Sequence, residues 1–421
     1  MRLHEIRSAS RVADLTVTVS VALLLLPLAA IAQTPKAPVP SSPYLGGVYR
    51  HADEMLAKAR KAAETNASRE ASLHLDHNFL RLLYTLSELS SKPIYRESAD
   101  AELKRLLESA ASGAEGWALE PQRPWLLWDR LFDLEADASL RLALRALEHT
   151  AAKGGPDPVA TISDRHAGFH IRAWAVAGAR TKDERFSKAI EALLDRLETK
   201  RASETARGPT VVGSSDENLA SSLSLAIDCD GAAHLTTGPL ATRLRALAAL
   251  KDDAFCSLPH DIRRTGGFLE SAPRPSGKPT PLWLAPSGGQ TTAQVGLLCV
   301  SRYENTGRVA YRELIHAAAD AYFRPFLDAD LESGVGPAAF GHAISLELAA
   351  WRSTAQQRYL DRARELADRS TPMLSVSVAS PGPASPQDSR GAATLALALL
   401  ELHLHILYIT AVRCPPNTSD R

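Results

Sequence analysis

Excess charge of either sign is missing from this sequence. Its 48 Lys and Arg residues are matched by 48 Asp and Glu, so the formal net charge is zero. Nucleic-acid binding needs a basic surface to meet phosphate, and nucleic acid is excluded as the main partner. Cysteine is scarce: four in 421 residues, beside three Met, cannot make a disulfide scaffold. Walker-type phosphate loops, dinucleotide fingerprints and Ser-centred nucleophile elbows are all missing, which argues against ATP, NAD and esterase chemistry. There is no His-Glu-x-x-His metal pattern either. What remains, 45% hydrophobic and 23% charged, fits neither a disordered chain nor a multi-span membrane protein.

The N-terminus reads as an export signal. Arg2, Arg7 and Arg11 give a positive leader, Leu15 to Ala32 is almost wholly apolar, and Ala30-Ile31-Ala32 is the small-x-small pattern that signal peptidase accepts. A retained membrane anchor is disfavoured because the run is close to the minimum span and Pro27 interrupts it. The expected organisation is a signal peptide over 1–32, a Pro/Ser-rich linker over 33–43, one domain over 44–412 and a tail over 413–421. The mature protein is expected in the periplasm or outside the cell, with no stable membrane insertion.

Within the domain, apolar residues recur at three- and four-residue steps, the signature of helices, and strand-like runs are scarce. One unit repeats: a helix, a short polar turn, an aromatic, a second helix. Tyr95, Phe186, Tyr311 and Tyr359 are the aromatic markers. So short a turn makes the two helices antiparallel neighbours. Weaker units span Pro124–Thr150 and Glu217–Leu258. The helix near Leu45–Ala63 has no partner before it, and the one near Arg390–Val412 none after it. They are expected to pair with each other, so that about fourteen helices form a closed ring of six to seven hairpins.

This pattern resembles the α/α-toroid, six-hairpin glycosidase-like superfamily. The resemblance covers nearly the whole domain and is architectural; no family motif transfers a catalytic residue. It implies an all-α closed toroid and sugar chemistry: glycoside hydrolase, polysaccharide lyase or epimerase.

If every first helix runs from a long loop to a short turn, all first-helix N-termini share one rim. His77, His170, Gln294 and His342 lie 16 to 18 residues before their markers and so occupy about one structural position. Around them fall Asp76 and Asn78, Asp164, Arg165 and His166, Gln290 and Thr291, and Asp216, Glu217 and Asn218; Trp125, Trp128, Asp129 and Arg130 come from the hairpin between the first two. Flat apolar faces and short polar groups are what a sugar site needs. The helix N-termini suit a carboxylate. Taken singly, Asp76, Asp164 and Asp216 read equally well as helix caps, and His77 or His342 alone reads better as a packing residue.

Two chemistries follow. A β-eliminating lyase needs a base and a cationic clamp for the uronate carboxylate; His166 or His77 and Arg165 or Arg130 fill those roles. A hydrolase needs paired carboxyls, for which Asp76, Asp129, Asp164, Asp216 and Glu217 are candidates. The expected catalytic set is His77, His166, Arg165, Asp76 and Asp129. The expected binding set is Asn78, Trp125, Trp128, Arg130, His170, Glu217, Gln290, Gln294 and His342. The expected partner is a glycan, and no cofactor or metal is expected. His166 and His170, four apart, share a helix face, the weakly favoured metal geometry; His403 and His405, two apart, do not. A non-catalytic glycan-binding scaffold remains the alternative from another class.

The cysteines add little. Cys229 and Cys256 are placed at distant ends of an antiparallel pair, Cys299 mid-helix and Cys414 in the tail, so no disulfide is expected. Thr265–Gly289 and Met373–Ser389 read as rim loops, the second with a short strand in Leu374–Val378; Gly154–Ile162 reads as a short insertion.

Overall fold

The computed structural model describes residues 42–64, 77–90, 92–111, 164–206, 219–265, 267–268, 292–323, 336–379 and 386–413, with isolated positions between 140 and 162. All regular structure among them is helical: α1 (Pro43–Glu64), α2 (His77–Ser90), α3 (Pro93–Ala111), α4 (Asp164–Thr181), α5 (Glu184–Ala206), α6 (Leu219–Ala233), α7 (Gly238–Cys256), α8 (Ile262–Thr265), α9 (Thr292–Thr306), α10 (Val309–Ala321), α11 (Pro337–Thr354), α12 (Gln357–Ala379) and α13 (Pro386–Arg413). None of these helices is long and apolar enough to cross a membrane. The expected export signal and the expected linker up to residue 41 lie outside the described residues, while Pro43, placed at the linker's end, already opens α1.

Four hairpins are built by one local rule. In each, the aromatic marker is the third residue of the second helix: Tyr95 in α3, Phe186 in α5, Tyr311 in α10 and Tyr359 in α12. All four rings are 0–1% exposed. The first helix of each ends in a hydroxyl five residues earlier. Ser90, Thr181, Thr306 and Thr354 donate to the carbonyls of Leu86, Ala177, Arg302 and Ala350 at 2.6–2.8 Å. The same oxygens accept from the backbone N–H two residues on, at Lys92, Asp183, Arg308 and Gln356. Each hydroxyl thus satisfies a terminal carbonyl and a turn N–H that would otherwise be orphaned. The next residue swings into the left-handed region at Lys182 (φ 61), Gly307 (φ 65) and Ala355 (φ 55), which stops the helix and reverses the chain.

The second helices form an outer layer tied by the same aromatics. The phenols of Tyr95, Tyr311 and Tyr359 donate to Asp53 on α1, Asp252 on α7 and Asp320 on α10 at 2.6–2.8 Å. Tyr44 at the start of α1 donates to Asp368 on α12 in the same way, at 2.7 Å. On α7, whose third residue is Leu240 rather than an aromatic, Arg243 pairs with Asp195 and Glu198 of α5. A hydrogen bond to a charged acceptor is worth roughly 1.5–3 kcal/mol, so these clasps fix the order α5–α7–α10–α12–α1–α3.

The first helices form an inner layer in the matching order α4–α6–α9–α11–α13–α2, each packed on the next. Neighbours run parallel. Along α11 and α13, Gly391 lies against Ala338, Gly341 against Thr394, and Ser345 bonds Glu401. Along α4 and α6, Gly168 lies against Leu225 and Asp228, and Gly231 against Arg172. Glycine is required where backbones approach this closely: a Cβ on Gly341 would sit 2.8 Å from the Thr394 carbonyl. The first and last helices, α1 and α13, do pack together.

Two sequence expectations need correction. Leu374–Val378 is not a strand, and Met373–Ser389 is not one loop. Helix α12 runs through Pro372 to Ala379, and α13 begins at Pro386. Ser370 and Thr371 turn their hydroxyls back onto the Ala367 carbonyl, and α12 is held between α11, α13 and α1. That packing overrides the alternating pattern. Most of Thr265–Gly289 lies outside the described residues, although Phe268 is buried against Phe255 and His260. The insertion before α4 is pinned where Arg196 of α5 donates to the Val159 carbonyl.

Candidate functional site

Among the described residues α6, α9, α11 and α13 each have an inner neighbour on both flanks and outer helices behind them. The fourth face of each is the only one left for solvent. On α2, α9, α11 and α13 one set of partly accessible side chains recurs at three- and four-residue steps, as one face of a helix must. The stripe is Asn78, Arg81 and Thr85 on α2, Gln294, Leu297 and Ser301 on α9, His342 and Ser345 on α11, and Thr394, Leu397, Glu401 and Leu404 on α13. Helices otherwise filled with Ala, Leu and Gly therefore carry a line, polar but for Leu297, Leu397 and Leu404, on the face turned away from the outer layer.

Because the inner helices are parallel, their N-termini point to a common end. There the structure brings together Asn78, Thr394 and the turn carrying His342. The Asn78 amide donates to the Thr394 hydroxyl at 2.9 Å, and Gly341, beside His342, touches the Thr394 backbone. His170, in the second turn of α4, keeps partial access; its ring lies 5.2 Å from the buried Trp174 and 5.4 Å from Phe169. Gln294 is the third residue of α9, next to Ala293, whose N–H is capped by the Tyr322 hydroxyl at 3.1 Å.

The other expected residues are reached only in part. His77 opens α2, and Asp164, Arg165 and His166 form the first turn of α4, their side chains outside the description. Asp76, Trp125, Trp128, Asp129, Arg130, Asp216, Glu217 and Gln290 lie outside the described residues.

One cluster escaped the sequence reading. Deeper along the same face, Glu401 of α13 accepts from the Ser345 hydroxyl through Oε2 and from Arg352 through Oε1, both at 2.8 Å. Arg352 also reaches His405 Nε2 at 3.3 Å, and the His405 ring meets Trp351 edge-on at 5.8 Å. Burial lowers the His405 pKa, partly offset by its bond to the Glu401 carbonyl, so the ring is neutral at pH 7. Arg81 of α2 faces Glu401 from the other side; burial lowers its pKa against that attraction. The cluster draws on three helices 49 or more residues apart in the chain, so no local motif announces it. The available signal was a polar residue every three or four positions inside otherwise apolar helices.

Between layers, Arg302 of α9 holds a buried ion cluster. Its guanidinium is 1% exposed and binds Asp252 through two nitrogens at 2.8 and 2.6 Å and Asp230 at 2.5 Å. This group ties α6, α7, α9 and, through Tyr311, α10. It lies between the layers, away from the accessible face. The described cysteines Cys229, Cys256 and Cys299 are free thiols, with Cys229 and Cys299 buried.

No protein-family model, curated protein or solved structure matches this chain.

Proposed function

We propose that the two layers close into a toroid of six to seven hairpins, with the weaker unit Pro124–Thr150 between α3 and α4, and that the protein is an exported carbohydrate-active enzyme working at the rim formed by its inner-helix N-termini. The observation that carries this reading is the parallel inner layer with its polar, partly accessible stripe. It delivers amide, imidazole and hydroxyl groups from helices far apart in sequence to one end of the molecule.

The chemistry proposed is β-elimination on a uronate-containing polysaccharide. His166 or His77 removes the proton α to the uronate carboxylate while Arg165 or Arg130 stabilises the charge building on that group. The C4–O bond then breaks with its electron pair leaving on oxygen, a C4=C5 double bond forms, and the leaving oxygen takes up a proton. A panel of polysaccharides tests this, read in parallel for the absorbance of an unsaturated uronate and for new reducing ends. An absorbance rise that His166→Ala or His77→Ala abolishes, with glycan binding retained, supports it. Reducing ends without the rise would replace it with hydrolysis by a carboxyl pair drawn from Asp76, Asp129, Asp164, Asp216 and Glu217. Turnover of nothing in the panel, with both histidine variants unchanged in binding, would leave a glycan-binding scaffold.

A further inference from the structure

Arg81 is the unusual member of the deep cluster. It stands one turn below Asn78 on the accessible face of α2, and Thr85, the next residue on that face, bonds only the Arg81 backbone carbonyl. A guanidinium carries five donors in a planar fork. Among the described residues none of those donors has a hydrogen-bond acceptor, and the one charge facing it, Glu401, is already held by Ser345 and Arg352. Two arginines thus face one carboxylate, which bonds Arg352 alone, and the neighbouring His405 adds no negative charge. Counted over Arg81, Arg352 and Glu401, the described residues of this cluster carry one positive charge in excess, at a partly buried position where the interaction with an anion is less screened than in bulk water.

We propose that Arg81 and Arg352, braced by Glu401, form an anion subsite inside the inner layer that takes the carboxylate of a single uronate residue. This subsite deepens the sugar reading above and rests on it for the ligand class. It adds a specificity element separate from the rim residues Arg165 and Arg130. Arg81 supplies the open fork, matched to a carboxylate by two parallel N–H···O bonds. Glu401 holds Arg352 in place and keeps the pair from repelling.

The test is calorimetric titration of the full mature chain with sodium D-glucuronate and, separately, with D-glucose, which lacks the carboxylate. The expected result is at least tenfold tighter binding of glucuronate, weakened by added salt. Arg81→Gln should remove that preference while the melting temperature stays within a few degrees of wild type. If Arg81→Gln does not fold, Arg81→Lys keeps the charge but loses the fork, and should bind glucuronate several-fold more weakly than wild type. Equal affinity for the two sugars in the wild type, binding of neither, or an arginine variant that binds glucuronate as wild type does, would each overturn the subsite. The proposed function fails separately. Glucuronate binding through Arg81 without turnover of any polysaccharide leaves the subsite standing and removes the lyase. Turnover of glycans without a glucuronate preference does the reverse.

Discussion

Replacing Glu347 with methionine should stabilise this protein. Glu347 lies on α11, 0% exposed, and neither carboxyl oxygen has a hydrogen-bond partner among the described residues. The charges that face it are Arg362 and Arg358 on α12 and Asp320 on α10. Arg358 is engaged with Asp320, and Arg362 with Glu365 and the Tyr322 carbonyl. Burial pushes the Glu347 pKa well above the ordinary carboxyl range despite the attraction of Arg362, so the folded protein keeps the proton. An unbonded polar group in a protein interior costs about 1–3 kcal/mol. Methionine has similar length and no polar atom to strand, so Glu347→Met should gain about that much in denaturant unfolding at pH 7. The pH dependence has a definite sign. The unfolded chain releases this proton near pH 4.5 and the folded chain does not, so the folded state binds more protons above that pH. Wild-type stability should therefore decline as pH rises from about 4.5, and the advantage of the variant should widen by up to about 1.4 kcal/mol per pH unit until the folded group titrates. A variant less stable than wild type, or an advantage independent of pH, would refute the reasoning and mean that this carboxyl is bonded.

Three other perturbations follow from the packing. Arg302→Met strands Asp252, itself 1% exposed, with only the Tyr311 hydroxyl as partner; a loss of about 3–5 kcal/mol is expected in denaturant melts, and a loss below about 1 kcal/mol would contradict the buried pair. Gly341→Ala forces a methyl against the Thr394 backbone and should cost about 1–3 kcal/mol, read as a lower thermal midpoint; no change would mean that α11 and α13 are less close than described. His51, 2% exposed, has its pKa lowered by burial to about 4. The unfolded chain takes up that proton near pH 6.5, so its contribution, about 3 kcal/mol at most, is present above pH 6.5 and lost as pH falls towards 4. His51→Gln should flatten the stability profile across that window by about one proton; an unchanged profile would show that His51 is not what is titrating.

The hairpins were legible because their rule is local. An aromatic three residues into a helix, after a short polar turn, marks Tyr95, Phe186, Tyr311 and Tyr359 without knowledge of any partner. The Ser or Thr five residues earlier is equally local and was there to be read. The aspartates that receive the tyrosine hydroxyls were not legible as such, because Asp53 and Tyr95, or Asp252 and Tyr311, meet only once the outer helices pack. Leu374–Val378 misled because alternation decides only where nothing else holds the backbone, and α12 packs against α11, α13 and α1. Counting back from the markers gave His77, His170, Gln294 and His342; of that neighbourhood the structure sets Asn78, beside His77, and the turn of His342 against Thr394. The deeper cluster of Arg81, Ser345, Arg352 and Glu401 was not reached, since its members look like ordinary surface residues until the inner helices stand side by side.

Closure of the ring is the claim on which the common rim depends, and it turns on the separation of α3 and α5, the outer helices flanking 112–163. Nitroxide labels at Glu97→Cys and Glu191→Cys, both exposed, in a chain whose Cys256 and Cys414 are changed to serine, would report it by pulsed electron–electron resonance. One intervening hairpin puts two helix-to-helix steps of about 10 Å between the axes, so with the label arms a single narrow peak at about 20–35 Å is expected. A peak well beyond about 40 Å, the separation of an open superhelix rather than two packed steps, would contradict the account.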